Sequence, residues 1–119
     1  MILVIDDDND VRAMIVRALQ ELGYRVAEAP DGPSALALID AQKFSLVVLD
    51  YMMPGMDGTE TAREIAAIDP DVPIVFSTGH SALRALRNSA GEGAAVLEKP
   101  FTLAELDALI KETRRVRSV

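Results

Sequence analysis

Short apolar runs alternate with longer segments of helical period along the whole chain. The apolar runs predict five strands, at residues 2–5, 24–27, 46–49, 74–76 and 94–97. Because each intervening segment is long enough for a helix, consecutive strands are expected to pair in parallel through right-handed crossovers. The pattern therefore predicts an α/β fold, a doubly wound sandwich of three layers with five strands and five flanking helices. The runs 2–5 and 46–49 are continuously apolar, which is typical of central strands covered on both faces.

Several helix ends carry recognisable signals. Gly23 follows the apolar stripe of the first helix and predicts its carboxyl-terminal cap. Thr102 and Glu105 have the spacing of a capping box at the start of the last helix. The third helix is expected at residues 57–68, where Asp-Pro stops it. The segment 79–93 contains glycine, serine and asparagine breakers, so the fourth helix is expected to be short or irregular.

Composition narrows the class of protein. The chain has 119 residues, half of them hydrophobic, with 12 basic and 19 acidic side chains, a formal net charge of −7 and no cysteine. This length suits one domain, which we expect to span residues 1–119. The lack of cysteine excludes disulfides and cysteine-ligated metal sites. Since phosphate backbones are bound by clustered lysine and arginine, the acidic balance indicates no direct nucleic-acid partner.

The chain shows no sign of membrane targeting. None of its apolar runs approaches the ~20 residues that a membrane span requires. Met1 leads directly into a short apolar run and then into acidic residues, so we expect no secretory signal peptide. A cytoplasmic protein without membrane contact is the resulting expectation.

Polar side chains cluster where the predicted strands end. Asp6, Asp7 and Asp8 follow the first strand, Asp50 follows the third, and the Ser77-Thr78-Gly79 and Lys99-Pro100 segments follow the fourth and fifth. In open parallel sheets, ligands bind in the crevice outside the carboxyl ends of the strands. The sequence therefore places acids, a hydroxyl group and an amine at one edge of the sheet.

The carboxylates predict a divalent cation. If Asp6, Asp7 and Asp50 lie within about 5 Å of each other, each pair repels by roughly 3 kcal/mol at an effective dielectric constant of 20. Mg²⁺ prefers oxygen ligands of this kind and uses one or two carboxylates together with water and phosphate. The alternative, a turn and helix cap, is equally open for Asp8 and for the acidic and amide residues that follow it.

The other polar residues at the strand ends supply a nucleophile, an amine and hydrogen-bond donors. Asp50 ends a buried apolar run and Lys99 ends another, although a solvated strand end and a plain surface lysine remain the alternatives. Thr78 supplies a hydroxyl donor, and Gly79 supplies a backbone N–H with no side chain to block approach. A carboxylate nucleophile, a divalent metal, a hydroxyl group and a lysine together indicate phosphoryl transfer onto an aspartate.

These residues stand in motifs that resemble a known family over nearly the whole chain. The segments ILVIDDD, VVLDYMMPGMDG, VPIVFSTGH and LEKPF, in this order, are similar to the receiver domains of two-component response regulators. The resemblance implies a flavodoxin-like sheet with strand order 2-1-3-4-5. It also implies a phosphorelay signalling domain that accepts a phosphoryl group from a histidine kinase or a histidine phosphotransfer protein. Such a domain catalyses its own phosphorylation and dephosphorylation and is not an enzyme with a separate substrate.

The resemblance also implies individual roles. Asp50 matches the phosphoacceptor, and Asp7, Asp50 and the backbone carbonyl of Met52 match the Mg²⁺ ligands, with Asp6 acting mainly through a coordinated water. Thr78 matches the switch hydroxyl, and Lys99 matches the lysine that pairs with the phosphoryl group; both would bind phosphate together with Gly79.

The turn after the phosphoacceptor also has counterparts in the family. Pro54 and Gly58 match the turn that shapes the loop after Asp50, and Pro100 matches a proline that is typically cis.

Two positions depart from the pattern or add little to it. Val96 stands three residues before the lysine, where the family usually has an aromatic ring that reports phosphorylation. His80, the only histidine, lies two residues beyond Thr78 and is interpreted as neutral to function rather than as a metal ligand.

Other functions and contexts remain open at this point. A phosphatase of the dehalogenase type also uses an aspartyl nucleophile, but it requires a second aspartate at the position of Met52. A degenerate receiver that acts only as a binding surface is the other alternative. A phosphorylation-dependent dimer is among the expected partners, but the sequence names neither its surface nor the donor kinase, the output partner or a fused domain. The loose fourth helix and Val96 resemble receivers appended to hybrid kinases.

Overall fold

A computed structural model describes residues 1–53, 58–79, 82–91 and 94–113. Within them, strands and helices alternate in the order β1 (Ile2–Ile5), α1 (Asn9–Glu21), β2 (Val26–Ala29), α2 (Gly32–Ala41), β3 (Leu46–Asp50), α3 (Gly58–Ile68), β4 (Ile74–Gly79), α4 (Leu83–Ala90), β5 (Ala95–Lys99) and α5 (Leu103–Thr113). No helix in these ranges is long and apolar enough to cross a bilayer.

The five strands form one parallel sheet in the order β2-β1-β3-β4-β5. This confirms the predicted fold class, the strand order and the interior positions of β1 and β3. Every residue of β1 and β3 is buried, as expected for strands with helices on both faces. The chain adds β2 on one side of β1 and then crosses back to add β3 on the other side. This change of direction in the strand order opens a crevice above the carboxyl ends of β1 and β3.

Each face of the sheet carries its own apolar core, which confirms the three layers. One core contains Ala35 and Ile39 of α2, Ile65 of α3 and Leu86 of α4. The other contains buried residues of α1 and α5, with Ile15, Leu19, Leu106 and Ile110 facing the sheet. Side chains alternate between the two cores along each strand, so the face of every strand residue is defined.

The helix ends follow the sequence signals. Gly23 adopts a φ of +94°, directly after the last turn of α1. Thr102 and Glu105 form the predicted capping box, with each backbone N–H donating to the other side chain at 3.1 Å. Asp8 is the cap of α1, and its side chain accepts hydrogen bonds from the backbone N–H groups of Asp10 and Val11. Of the two interpretations left open for Asp8, the helix cap is therefore the one that the structure shows. The fourth helix is short, at eight residues, as expected.

Three predicted strands were wrong in their bounds by two residues or more. The fifth strand was expected at 94–97 but occupies Ala95–Lys99. The second strand was expected at 24–27 but occupies Val26–Ala29, because the N–H of Tyr24 still donates to Leu19 of α1 and pairing with β1 begins only at Val26. The fourth strand was expected to end at residue 76 but continues to Gly79. Its polar end stays extended because β5 continues alongside it, pairing Thr78 with Glu98 and Gly79 with Lys99.

Candidate functional site at the carboxyl edge of the sheet

An open cleft of about 420 Å³ lies at the carboxyl ends of β1, β3, β4 and β5. All seven site residues predicted from the sequence line it: Asp6, Asp7, Asp50, Met52, Thr78, Gly79 and Lys99. Asp8, Val11 and Ala82 complete the lining. The topology thus brings together groups that are up to 93 positions apart in the chain, because parallel strands all end at the same edge.

Three carboxylates form the acidic part of the cleft. One oxygen from each of Asp6, Asp7 and Asp50 can be chosen so that all three lie within 4.8 Å of one another. Asp6 and Asp50 are buried and Asp7 is exposed. Because strand β3 carries Asp50 as its last residue, a fully apolar run holds this carboxylate rigidly beside the loop that follows β1.

Lys99 supplies the compensating positive charge. Its Nζ lies 3.6 Å from Asp6 Oδ2 and 3.6 Å from Asp50 Oδ1, with a quarter of the side chain exposed. The single ammonium group therefore faces two buried carboxylates, and a third carboxylate stands at the mouth of the cleft. The charge balance of the described site is negative, as a site for a divalent cation requires.

Burial is the main cause of an unusual pKa at Asp50. It raises the pKa of this carboxyl from 3.8 to about 6, and the charges of Asp6 and, less strongly, Asp7 act in the same direction. The Lys99 ammonium and a hydrogen bond from the backbone N–H of Met52 oppose the rise. Asp50 is therefore a carboxylate near neutral pH, but one whose charge is stabilised less well than that of an ordinary aspartate.

The donor set fits Mg²⁺. Every candidate ligand is an oxygen, and Asp6 Oδ2 is buried without a hydrogen-bond partner among the described residues. A buried carboxylate oxygen without a donor is costly unless a cation faces it. Asp6, Asp7 and Asp50 are the residues that would hold the ion, and Met52 lies beside them with its side chain 62% exposed.

Thr78 and Gly79 line the opposite wall of the cleft. Thr78 is buried, and its hydroxyl donates to the carbonyl of Gly79 at 3.3 Å. This is a long hydrogen bond to a neighbouring backbone group, so little energy is lost when the hydroxyl turns to another acceptor.

Sequence reasoning missed Arg12. Its guanidinium donates to the backbone carbonyl of Asp6 at 2.7 Å, to Glu28 of β2 at 2.8 Å and to the Asn9 side chain at 2.7 Å. The residue thereby ties the loop after β1 to the neighbouring strand. No local signal marks this role, because an arginine in the first turn of a helix is ordinary in any surface helix.

Gly58 fits closely against the chain segment that follows Asp50. Its N–H donates to the carbonyl of Tyr51 at 2.6 Å, and a Cβ atom at this position would lie 2.8 Å from the Cα atom of Tyr51. A glycine is therefore required by close approach of two backbones, in agreement with the match of Gly58 to the family's turn. Pro54, the other residue matched to that turn, lies outside the described residues.

The Gly58→Ala substitution is expected to lower the free energy of unfolding by about 2 kcal/mol, because the backbone at Tyr51 must move to admit the methyl group. Urea titration followed by circular dichroism measures this change. Gly79→Ala is the matched control, since a Cβ atom there meets nothing within 4 Å, and it should change stability by less than about 0.5 kcal/mol. Equal losses in the two variants would contradict the close packing of Gly58.

Aromatic rings lie near the site, but not at position 96, where the receiver family usually has one. Val96 is half-buried and pairs with Phe76 across β4 and β5, and Phe76 meets Tyr51 edge to face with ring centroids 6.4 Å apart. The rings near Asp50 thus come from β4 and from the residue after Asp50. The Lys99–Pro100 peptide bond is cis, as the resemblance implies, and His80 lies outside the described residues.

Comparisons with known proteins agree with this geometry. The family model of the response regulator receiver domain matches residues 2–111. The chain is 44% identical over 106 residues to the response regulator receiver protein CpdR of Brucella abortus, which covers 88% of each chain. It is 35% identical over 115 residues to the C4-dicarboxylate transport transcriptional regulatory protein DctD of Rhizobium meliloti, and it spans 24% of that longer relative.

The crystal structure of the receiver domain of NtrX from Brucella abortus is also similar. It superimposes with a TM-score of 0.87 at 32% sequence identity, covering 94% of this chain and 96% of that one. The sheet order, the acidic cluster at its carboxyl edge and these matches lead to one conclusion. The chain belongs to the response regulator receiver domain family of two-component signalling.

Proposed function

We propose that this chain is a phosphoacceptor whose Asp50 receives a phosphoryl group in a Mg²⁺-dependent reaction. The observation that carries the proposal is the position of Asp50 at the end of β3, in an open cleft, where its carboxylate lies 3.6 Å from the Lys99 ammonium and clusters with the carboxylates of Asp6 and Asp7. A nucleophile with a raised pKa, one ammonium group and a set of oxygen ligands are the groups that phosphoryl transfer requires.

In the proposed reaction, an Asp50 carboxylate oxygen attacks the phosphorus atom of a phosphohistidine. A P–O bond forms as the P–N bond breaks, and the electron pair of that bond stays on the imidazole nitrogen of the donor. The product is an acyl phosphate on Asp50. The protein's contribution is to hold the donor phosphoryl group in line with the carboxylate and to stabilise the charge on its oxygens.

Residues around Asp50 divide this work. Asp6, Asp7, Asp50 and the Met52 carbonyl would hold a Mg²⁺ ion, which would supply positive charge to the phosphoryl oxygens. Lys99 pairs with another phosphoryl oxygen, for which it needs only to release its long contacts to the two carboxylates. The Thr78 hydroxyl and the Gly79 N–H donate to the phosphoryl group from the wall formed by β4.

The donor is proposed to be a histidine kinase or a histidine phosphotransfer protein, acting in the cytoplasm. Residues 1–119 are proposed to act as one receiver domain that switches the surface around β4, β5 and α4. That surface is the one on which Phe76 and Val96 pack, so a movement of Thr78 in the same strand reaches it directly. A phosphorylation-dependent dimer remains a prediction.

The proposal is tested by incubating the protein with acetyl phosphate. With Mg²⁺, we expect one phosphoryl group per chain, stable in acid and released by hydroxylamine, as an acyl phosphate is. With excess chelator, the rate should fall by at least about tenfold, because the charge of the metal is lost from the phosphoryl oxygens. Intact mass spectrometry follows both reactions. A chain that takes up no phosphate with Mg²⁺ present would show a receiver that acts only as a binding surface.

A further inference from the structure

Two buried side-chain polar atoms lack a hydrogen-bond partner among the described residues, and both belong to the same part of the sheet. They are Asp6 Oδ2 and Ser77 Oγ. The carboxylate oxygen is explained by the cation site and by Lys99. Ser77 is 1% exposed, and neither the proposed metal site nor the proposed phosphate contacts use its hydroxyl. Buried hydroxyl groups nearly always have partners, so Ser77 requires its own explanation.

The register of the sheet places Ser77 beside the phosphoacceptor. Ser77 is the direct neighbour of Asp50 across β3 and β4, and register partners in a parallel sheet project from the same face. Val48 and Val75, two residues earlier on each strand, lie in the core that packs against α1 and α5, which identifies the face. Ser77 and Asp50 therefore project side by side from the sheet.

The side chain of Lys99 must cross β4 close to Ser77. Lys99 ends β5, yet its ammonium lies 3.6 Å from Asp50 on β3, with β4 in between. Neighbouring strands are about 4.8 Å apart, so the lysine side chain must extend across β4 to bring its ammonium this close to Asp50. A Cβ atom at Gly79 would meet nothing within 4 Å, so the lysine does not pack on Gly79, its register partner. Ser77 lies two residues earlier on the same face of β4 and is the register partner of Asp50, so it is the β4 residue nearest to the line from Lys99 to Asp50.

The ammonium of Lys99 is attracted to two carboxylates without a good hydrogen bond to either. Both contacts measure 3.6 Å, beyond the usual length of an N–H···O hydrogen bond. A divalent cation on Asp6 and Asp50 would repel the ammonium and engage the oxygens that now attract it. Lys99 then needs an acceptor that does not bind the metal, and the neutral hydroxyl of Ser77 lies beneath its path.

We propose that Ser77 is a positioning residue for Lys99. Its hydroxyl accepts a hydrogen bond from the ammonium when a cation and a phosphoryl group occupy the carboxylates, and so holds Lys99 on the β4 side of Asp50. In the structure the hydroxyl has no partner among the described residues, and the ammonium lies 3.6 Å from both Asp6 and Asp50. The role in transfer rests on the proposed function of Asp50.

The Ser77→Ala variant separates this role from a structural one. We expect its phosphorylation by acetyl phosphate with Mg²⁺ to be about tenfold slower than that of the natural protein, as for the loss of one hydrogen bond to a charged group. Its urea midpoint without metal should be at least as high as that of the natural protein, because the variant removes a buried hydroxyl that has no partner. Ser77→Thr keeps the hydroxyl and should restore the rate to within about threefold of the natural value.

Ser45→Ala is the matched control. Ser45 lies at the opposite end of the sheet, where its exposed hydroxyl donates to the carbonyl of Met1, so its loss should leave the phosphorylation rate unchanged. A natural rate in Ser77→Ala would overturn the proposal. So would a lowered urea midpoint that accounts for the slower rate, since this would indicate a merely structural hydroxyl.

A second readout does not depend on phosphorylation. In NMR spectra of the ¹⁵N-labelled protein with Mg²⁺ alone, the side-chain ammonium signal of Lys99 should exchange more slowly with water than in Ser77→Ala, because a hydrogen bond holds it. Identical exchange in both proteins would overturn the role of Ser77 even if Asp50 is phosphorylated. Conversely, the natural protein could accept no phosphoryl group and still show slower Lys99 exchange than Ser77→Ala. That result would reject the proposed function of Asp50 but would support the hydrogen bond between Lys99 and Ser77.

Discussion

The Asp50→Asn variant is expected to lose at least about 99% of the phosphoryl group that the natural protein accepts from acetyl phosphate and Mg²⁺. The amide has nearly the shape of the carboxylate but cannot act as the nucleophile. The neighbouring carboxylates cannot replace it, because Asp6 is buried against Lys99 and Asp7 is exposed at the mouth of the cleft. Intact mass and tandem mass spectrometry of the labelled chain measure the loss and locate the site.

Asp8→Asn is the matched control for this experiment. Asp8 lines the same cleft, and its role in the structure is to cap α1 through hydrogen bonds from Asp10 and Val11. Asparagine caps a helix as well as aspartate does, so this variant should fold normally and keep most of the labelling. Labelling that persists in Asp50→Asn at the natural level would reject Asp50 as the acceptor.

The second large effect concerns stability and pH. Because the folded protein raises the pKa of Asp50 to about 6 from 3.8, it binds the proton more tightly than the unfolded chain does. Between these two pH values, the folded state keeps a proton that the unfolded state has lost. The contribution of Asp50 to the free energy of unfolding therefore falls as pH rises through this window, by about 3 kcal/mol in total. Above the window, the charged Asp50 destabilises the metal-free protein.

The Asp50→Asn variant has no ionisable group at this position, so its stability lacks the pH dependence that Asp50 contributes. At pH 7.5 without divalent cations, the variant should be about 2–3 kcal/mol more stable than the natural protein, and the difference should disappear toward pH 4. Urea titrations of both proteins across this range, with chelator present, measure the difference. A variant that is equally or less stable at pH 7.5 would contradict the raised pKa of Asp50.

Magnesium should act in the opposite direction. An ion bound by Asp6, Asp7 and Asp50 stabilises the folded protein by about 1.4 kcal/mol at tenfold its dissociation constant. The gain should be smaller in Asp50→Asn, which has lost one charged ligand. The same urea titrations with and without Mg²⁺ compare the two proteins. The charged Asp50 thus lowers the stability of the protein without metal, and the same charge allows it to bind Mg²⁺ and to attack a phosphoryl group.

Much of the site can be predicted from the amino-acid sequence, for a physical reason. The alternation of strands and helices depends on nearby residues, and parallel strands all end at one edge of the sheet. Asp6 and Asp50 each stand at the end of an apolar run and Lys99 ends β5, so the fold brings them together whatever the details of packing. The capping box of Thr102 and Glu105 was equally predictable, because it lies within four consecutive residues.

Other features depend on partners distant in the chain, which a linear pattern does not show. The polar end of β4 looks like a loop in sequence, but pairing with β5 keeps Ser77, Thr78 and Gly79 in the strand. The start of β2 depends on where pairing with Ile2 begins. Arg12 acquires its role only because β2 brings Glu28 within 2.8 Å of its guanidinium.

The sequence by itself thus determined the fold class, the edge of the sheet that carries the chemistry and most of the polar residues that line the cleft. These follow from hydrophobic periodicity and from the order of residues at strand ends, whereas Met52 follows from the resemblance to the family. Only the tertiary structure decided the raised pKa of Asp50, the crossing of Lys99 over β4 and the unpaired hydroxyl of Ser77. Burial, charge separation and hydrogen bonding at these atoms depend on distances between strands, and those distances exist only once the sheet has assembled.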